Sequence, residues 1–195
     1  MQIAFFDFDG TITTDDSLLK FIRFVVGDFK FIGGLIVLSP MLTFYKLKLI
    51  PNDKAKQMML SYFFKGMSEK AFQEVALHYS LGHIDKIVRP KAIEKILWHK
   101  NEGHKVVVVS ASLEYWLKPW CDRNNLELIA TKLEIKQGMI TGQLMSKNCY
   151  GQEKVNRIHE KYTLDSYDYI YAYGDSSGDK EMLALADHKE YKPFQ

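Results

Sequence analysis

The spacing of apolar residues changes character along the chain. Gln2–Phe6 is a short apolar run ending in acids, and it predicts the first strand of a buried sheet. From Asp16 to about Arg89 the period becomes helical. Ser68–Ser80 shows it well: Ser68 offers an N-cap oxygen and Glu69 suits the positive end of the helix dipole. Ala71, Phe72, Val75, Ala76 and Tyr79 then share one face. Pro90 opens a further helix with Ile93, Ile96 and Leu97 on one side, and Gly103 suits the residue that closes it. Lys105–Val109 carries four valines in a row, too uniformly apolar for a half-exposed strand, and reads as a central parallel strand. Leu113, Trp116, Leu117, Trp120 and Cys121 follow at helical spacing, with Ser112 as the expected cap and a kink expected at Pro119. Leu133–Lys136 and Thr141–Leu144 flank Gln137-Gly138-Met139 as a hairpin. Val155, Ile158, His159 and Tyr162 mark another helix, Tyr167–Tyr173 a strand, and Lys180–Ala186 a closing helix.

Strand and helix alternate from residue 90 onward, which predicts an α/β fold with a doubly wound, mostly parallel sheet. The helical block interrupts that pattern after the first strand. The expected organisation is a core of residues 1–15 and 86–195 with a helical insert at 16–85. Within the insert, Phe31–Tyr45 holds no charged residue. It falls short of the roughly 20 residues a membrane-spanning helix needs, and Pro40 is expected to interrupt it. Leu35–Leu42 reads as ordinary buried core, with an interfacial segment as the alternative.

Composition narrows the function classes. Hydrophobic residues make up 47% and charged residues 26%, which excludes a disordered chain. A net charge of +2, with basic residues scattered, gives no footprint for nucleic acid. Cys121 and Cys149 form no CxxC and predict reduced packing thiols in a cytoplasmic protein. The N-terminus lacks the basic and apolar regions of a signal peptide.

Four places offer chemistry. Asp7-Phe8-Asp9-Gly10-Thr11 follows the first strand, where two carboxylates at i and i+2 face one side and demand a cation or a proton. Gly10 permits a sharp turn. Ser110 ends the valine strand, where its hydroxyl and the N–H groups of Ala111 and Ser112 at a helix start would receive an anion. Lys154 stands in the first turn of a helix, against the dipole, which suggests a role in neutralising phosphate. Gly174–Asp179 supplies Asp175 and Asp179 after another strand, hard oxygen donors that suit Mg2+. Each has a plain alternative: a solvated turn, a helix cap, a surface lysine, an Asp-rich turn. The order of all four builds one site.

That order resembles the haloacid dehalogenase superfamily along the whole chain. Asp7–Thr11 matches its first motif, Ser110 the second, Lys154 the third and Gly174–Asp179 the fourth. The helical insert takes the position of the C1 cap of the phosphoserine-phosphatase-like subgroup. The resemblance implies that Asp7 attacks phosphorus and that Asp9 protonates the leaving oxygen and later activates water. It implies that Ser110 and Lys154 bind the phosphoryl oxygens. Asp7, the backbone carbonyl of Asp9, and Asp175 would hold Mg2+, with Asp179 in support. An Asp at position 9 points to phosphoester hydrolysis rather than dehalogenation or ATP-driven transport.

The cap is similar to that of the bacterial phosphatidylglycerophosphatase C type, through Phe21-Ile22-Arg23-Phe24, the apolar run through Pro40, and Gly151-Gln152-Glu153-Lys154-Val155. This implies a lipid-like phosphate such as phosphatidylglycerophosphate, with peripheral membrane contact through the cap. Phosphoserine or another small metabolite is the alternative. Asp16 falls near the acidic residue that holds the amine in phosphoserine phosphatases, yet also suits a cap for the helix from Ser17. Arg23 and Arg89 are substrate candidates by residue type alone. Two further alternatives are a receiver-like signalling domain and an idle phosphate-binding module. The first has no room for a large insert.

Overall fold

A computed structural model describes all 195 residues. Five strands form one parallel sheet in the order β3-β2-β1-β6-β7: β1 (Gln2–Phe6), β2 (Lys105–Leu113), β3 (Glu127–Thr131), β6 (Tyr169–Gly174) and β7 (His188–Tyr191). The valine run pairs directly with β1, Ala4 opposite Val106 and Phe6 opposite Val108. Alternate residues feed two cores. Ala4, Phe6, Val106 and Val108 face one, with α4 (Pro90–Asn101) and α5 (Glu114–Arg123). Ile3, Phe5, Val107 and Val109 face the other, with α6 (Gln152–Lys161) and α7 (Lys180–Ala184). A sheet covered on both faces needs apolar residues at every position, which explains the unbroken run. The expected doubly wound α/β fold is the fold observed.

The chain leaves β1 toward β2 and β3, then returns to β6 on the other side of β1. This is the strand-order reversal at which such sheets bind ligands, beyond the carboxyl ends of the strands. Over those ends lie α1 (Ser17–Lys46), α2 (Asn52–Phe64), α3 (Glu69–Gly82) and the hairpin β4 (Leu133–Lys136) with β5 (Met139–Leu144). The hairpin is tied to α2 and α3 through the backbone: Gly66 N–H to Ile140 O, Ile140 N–H to Met67 O, and Glu69 N–H to Gly138 O.

Several expectations need correction. The chain stays helical through Pro40; α1 breaks instead at Gly27 (φ 78°, ψ 166°), where a left-handed backbone is easy only for glycine. Pro119 lies inside α5 without dividing it. The helical turn of α7 ends at Ala184, and Met139 belongs to a strand rather than the turn. Strands β3 and β7 escaped the sequence reading: β3 is short, and β7, His-Lys-Glu-Tyr, is polar because it is an exposed edge. The apolar stretch is not ordinary core throughout. Leu38 and Met41 are buried, whereas Ile36 and Val37 are 67% and 60% exposed. Phe29, Ile32 and Phe44 continue the exposed side at helical spacing. Both cysteines are free and buried, as expected.

Candidate active site

The parallel sheet delivers each predicted residue to one place because every strand involved ends there. Asp7 follows β1 and is nearly buried. Lys154, in the first turn of α6, is 1% exposed and spends all three donors: Asp7 Oδ1 at 2.5 Å, Asp179 Oδ1 at 2.7 Å and the carbonyl of Val109 at 2.7 Å. The position that looked unfavourable for a lysine is offset by two carboxylates. Asp175 follows β6, and Thr11 Oγ1 lies 3.1 Å from Asp7 Oδ2 and 3.2 Å from Asp175 Oδ1, placing its proton between them. Gly10 has φ 85°, and a Cβ there would stand 2.4 Å from Asp175 Oδ2. Only glycine lets that carboxylate lie against the turn.

Asp7, Asp175 and Asp179 bring carboxylate oxygens within 4.8 Å of one another. Asp179 is already committed. Its Oδ1 takes Lys154, and its Oδ2 accepts the N–H groups of Asp175 and Ser176 and the Ser176 hydroxyl. The hard-oxygen set left for a divalent cation is Asp7 and Asp175, with Asp179 fixing their neighbours.

Charge in the pocket is unevenly settled. Burial pushes the Asp7 carboxyl up to about 7, and Lys154 only partly opposes it. Burial and then the Asp179 charge raise Asp175. Asp179 goes the other way: burial would raise it, but Lys154 and Ser176 hold it below the usual carboxylate range. Lys154 itself stays above the ordinary lysine value, because Asp7 and Asp179 outweigh its burial.

Asp9 points away from this cluster into a hydroxyl relay that sequence reasoning missed. The Ser17 N–H donates to Oδ1 at 2.6 Å and the Ser112 hydroxyl to Oδ2 at 2.6 Å. Ser17 Oγ donates to Ser112 Oγ at 3.0 Å, and Trp116 Nε1 donates to Ser17 Oγ at 3.1 Å. Burial, then the nearby Asp16, raise Asp9 to about 6 against these hydrogen bonds. Ser112 is therefore not the cap of α5, whose cap position is Leu113; it lies in β2, beyond an irregularity after Ser110. Its N–H donates to Ser110 Oγ at 2.9 Å. Ser110, expected at a helix start, lies within β2 and is fully buried.

Asp16 caps α1, accepting from Leu19 N–H at 3.0 Å, while standing beside Asp9. Arg23 is not brought to the site; it is exposed and pairs with Asp28. Arg89 bonds the carbonyls of Thr13 and Phe194 and serves the framework. A second missed residue is Lys56 of α2, whose ammonium reaches the carbonyl of Ala111 at 2.7 Å.

A family model described as haloacid dehalogenase-like hydrolase matches residues 4–184. The chain belongs to that family. Protein CicA of Caulobacter vibrioides (strain NA1000) is 33% identical over 192 residues, covering 97% of this chain and 85% of that one. A probable phosphatase of Mycobacterium tuberculosis (strain H37Rv) is 28% identical over 191 residues, covering 95% of this chain and 66% of that one. A solved phospho-aspartyl intermediate analogue of phosphoserine phosphatase superposes with a TM-score of 0.69 at 18% identity, covering 96% of this chain and 84% of that one. That superposition shows a phosphoserine-phosphatase-like fold for this member of the hydrolase family.

Proposed function

We propose that this phosphatase is a Mg2+-dependent phosphomonoester hydrolase working through a phospho-aspartyl intermediate on Asp7. The carrying observation is the separation of two carboxylates two residues apart: Asp7 faces Lys154 and the acidic cluster, and Asp9 faces a hydroxyl relay. Asp7 would attack, Ser110 would bind a phosphoryl oxygen, Lys154 would exchange one of its three present acceptors for another phosphoryl oxygen, and Asp9 would give a proton to the leaving oxygen and take one from water. A carboxyl raised to about 6 serves both directions near neutral pH. Mg2+ held by Asp7, Asp175 and the Asp9 carbonyl would supply the positive charge that lets a carboxylate approach a phosphate dianion. Residues 16–85 act as the cap, with the β4–β5 hairpin beneath α2.

The test is turnover of p-nitrophenyl phosphate with and without Mg2+, beside Asp7→Asn, with acid-quench trapping of phosphoprotein. Activity surviving both chelation and Asp7→Asn would sink the mechanism.

Within this reading a lipid-like phosphate such as phosphatidylglycerophosphate is favoured over phosphoserine. Support comes from the exposed Phe29, Ile32, Ile36, Val37 and Phe44 of α1, with the exposed Lys30 and Lys46 on the same helix and Lys48 just beyond it. An apolar stripe edged by cations suits an anionic membrane surface. No helix is long and apolar enough to cross a membrane. Flotation with anionic liposomes checks this contact; protein left wholly in the unbound fraction refutes it.

A further inference from the structure

Trp116 is wholly buried in α5, and its ring stacks on Phe21 of α1 with 4.5 Å between centroids and 26° between planes. Its indole N–H is a donor with no acceptor capacity, and that donor goes to Ser17 Oγ at 3.1 Å. Were Ser17 to turn away, the N–H would be left buried without a partner, so the Ser17 oxygen is held as an acceptor at this end. The other end of the relay is Asp9, whose ionised carboxylate only accepts. Ser112 therefore donates to Asp9 Oδ2, and the Ser17 proton goes to the Ser112 oxygen, 3.0 Å away. A donor at one end and an acceptor at the other give both hydroxyls one direction.

That direction matters once Asp9 carries the proton of a general acid. The carboxyl group then needs an acceptor of its own. Ser17 N–H, 2.6 Å from Oδ1, is a donor. Ser112 would accept only if it turned its proton to Ser17, and Ser17 would then have to turn its own proton elsewhere. Its remaining polar partner is Trp116, where an N–H already points at it. The reversed relay ends against a donor. Asp9 itself is only half-buried, so the hydrogen bond denied to it inside the protein is made on its open side.

We propose that Trp116 is a positioning residue: by fixing the direction of the hydroxyl relay, it turns the Asp9 proton outward onto the leaving oxygen of the substrate. The proposal rests on the phosphatase reading above, in which Asp9 is the acid. In that step the bond from Asp7 oxygen to phosphorus forms as the bond from phosphorus to the leaving oxygen breaks. The electron pair of the broken bond stays on the leaving oxygen, which takes the Asp9 proton and departs as an alcohol. Asp9 is left a carboxylate, and Ser112 and the Ser17 N–H already donate to it without moving. Trp116 makes no hydrogen bond to Asp9 and acts through Ser17. With the N–H removed, the Ser17 proton turns into the vacated space, the Ser112 proton follows, and Asp9 gives its proton inward.

The test is the ratio of kcat/KM for ethyl phosphate to that for p-nitrophenyl phosphate, taken within each preparation so that the folded fraction cancels. kcat/KM reports events up to departure of the leaving group, for which ethoxide needs an acid and p-nitrophenolate does not. Trp116→Phe keeps a ring against Phe21 and removes the N–H. It should lower the ratio by about 5- to 10-fold, the factor carried by one hydrogen bond. In a Ser17→Ala background the same substitution should leave the ratio within about 2-fold, because its route to Asp9 is gone. Equal losses on both substrates assign Trp116 to packing and overturn the proposal, as does a loss that persists in the Ser17→Ala background. Asp9→Asn should lower the ratio by at least about 100-fold. An unchanged ratio there overturns the acid role of Asp9 and the proposal with it, whereas a ratio that answers to Asp9→Asn and not to Trp116→Phe overturns the proposal alone. Should Trp116→Phe fail to fold, hydrogen exchange of the Trp116 indole decides: protection in wild type that Ser17→Ala abolishes is expected, and a freely exchanging N–H overturns the proposal.

Discussion

Ser112→Ala tests the hydroxyl relay at its most informative point. Asp9 sits at about 6, raised by burial and Asp16, and would sit higher without its two 2.6 Å hydrogen bonds. A hydrogen bond to a charged group contributes about 1.5–3 kcal/mol, and one pKa unit corresponds to about 1.4 kcal/mol. Deleting the Ser112 hydroxyl should therefore raise Asp9 by about one to two units. p-Nitrophenolate leaves without help from an acid, so the rising limb of its kcat–pH profile reports ionised Asp9 acting as base on water. The midpoint of that limb should move up by about one unit or more. At pH 6 kcat should fall by about 10-fold, while at pH 9 it should nearly match wild type. Ser17→Ala is the contrast, because its bond to Asp9 comes from the backbone N–H and survives. The stability cost has a defined sign. The lost bond favoured the ionised carboxylate, so the destabilisation is full above the variant's raised Asp9 value, shrinks as pH falls from there to the wild-type value, and is absent below it. A uniform drop in kcat at every pH, with the midpoint unmoved, would refute the role given to Ser112.

Other consequences are measurable on purified protein. Asp7 ionises at about 7 when folded against 3.8 as a model group, so the metal-free fold loses stability as pH rises across that window. In chelator at pH 8, Asp7→Asn should be the more stable protein by up to about 4 kcal/mol, an advantage that vanishes near pH 4; equal urea midpoints at pH 8 would contradict it. Mg2+ at about 100 times its Kd should stabilise wild type by about 2.7 kcal/mol and Asp175→Asn far less. A Tm that Mg2+ raises equally in both would remove Asp175 from the metal set. Gly142→Ala should cost at least about 2 kcal/mol, since φ is 81° and the new Cβ would stand 2.4 Å from the Ser61 Cα. An unchanged denaturation midpoint would show that the hairpin and α2 can separate freely.

The core was legible because chemistry and topology coincide in a parallel sheet. Asp7 and Asp175 each stand just beyond a strand's carboxyl end and Ser110 at the irregularity in β2, so an apolar run followed by a polar residue marks the site directly. Lys154 was legible through its cost, a cation placed at the wrong end of a helix. Ser112 and Ser17 were not. A serine between a strand and a helix reads as a cap, and only the irregularity after Ser110 turns its hydroxyl onto Asp9. Lys56 was equally hidden. Its partner Ala111 is 55 residues away, and nothing in the local pattern of α2 separates it from a solvated lysine. Arg23 shows the converse error: the residue type suited a substrate anion, but its partner is Asp28 in solvent.

With Asp7 as the proposed nucleophile, the charges at Asp7, Asp179 and Lys154 would leave it poised rather than quenched. One ammonium faces two carboxylates, and the three cannot all be satisfied. Asp179 wins, because Ser176 and the backbone of Asp175 stabilise its ionised form as well as Lys154 does. Asp7 has Lys154 and Thr11 alone, so burial dominates and its proton is held up to about 7. The carboxylate needed for attack is thus formed most readily when a further cation arrives beside Asp175. Replacing Asp179 with Asn would release Lys154 to Asp7 alone, pull the Asp7 pKa down, and weaken the dependence of its ionisation on that cation. In the proposed reaction Asp179 would thus matter without touching the phosphate, by keeping Lys154 from neutralising the group that attacks.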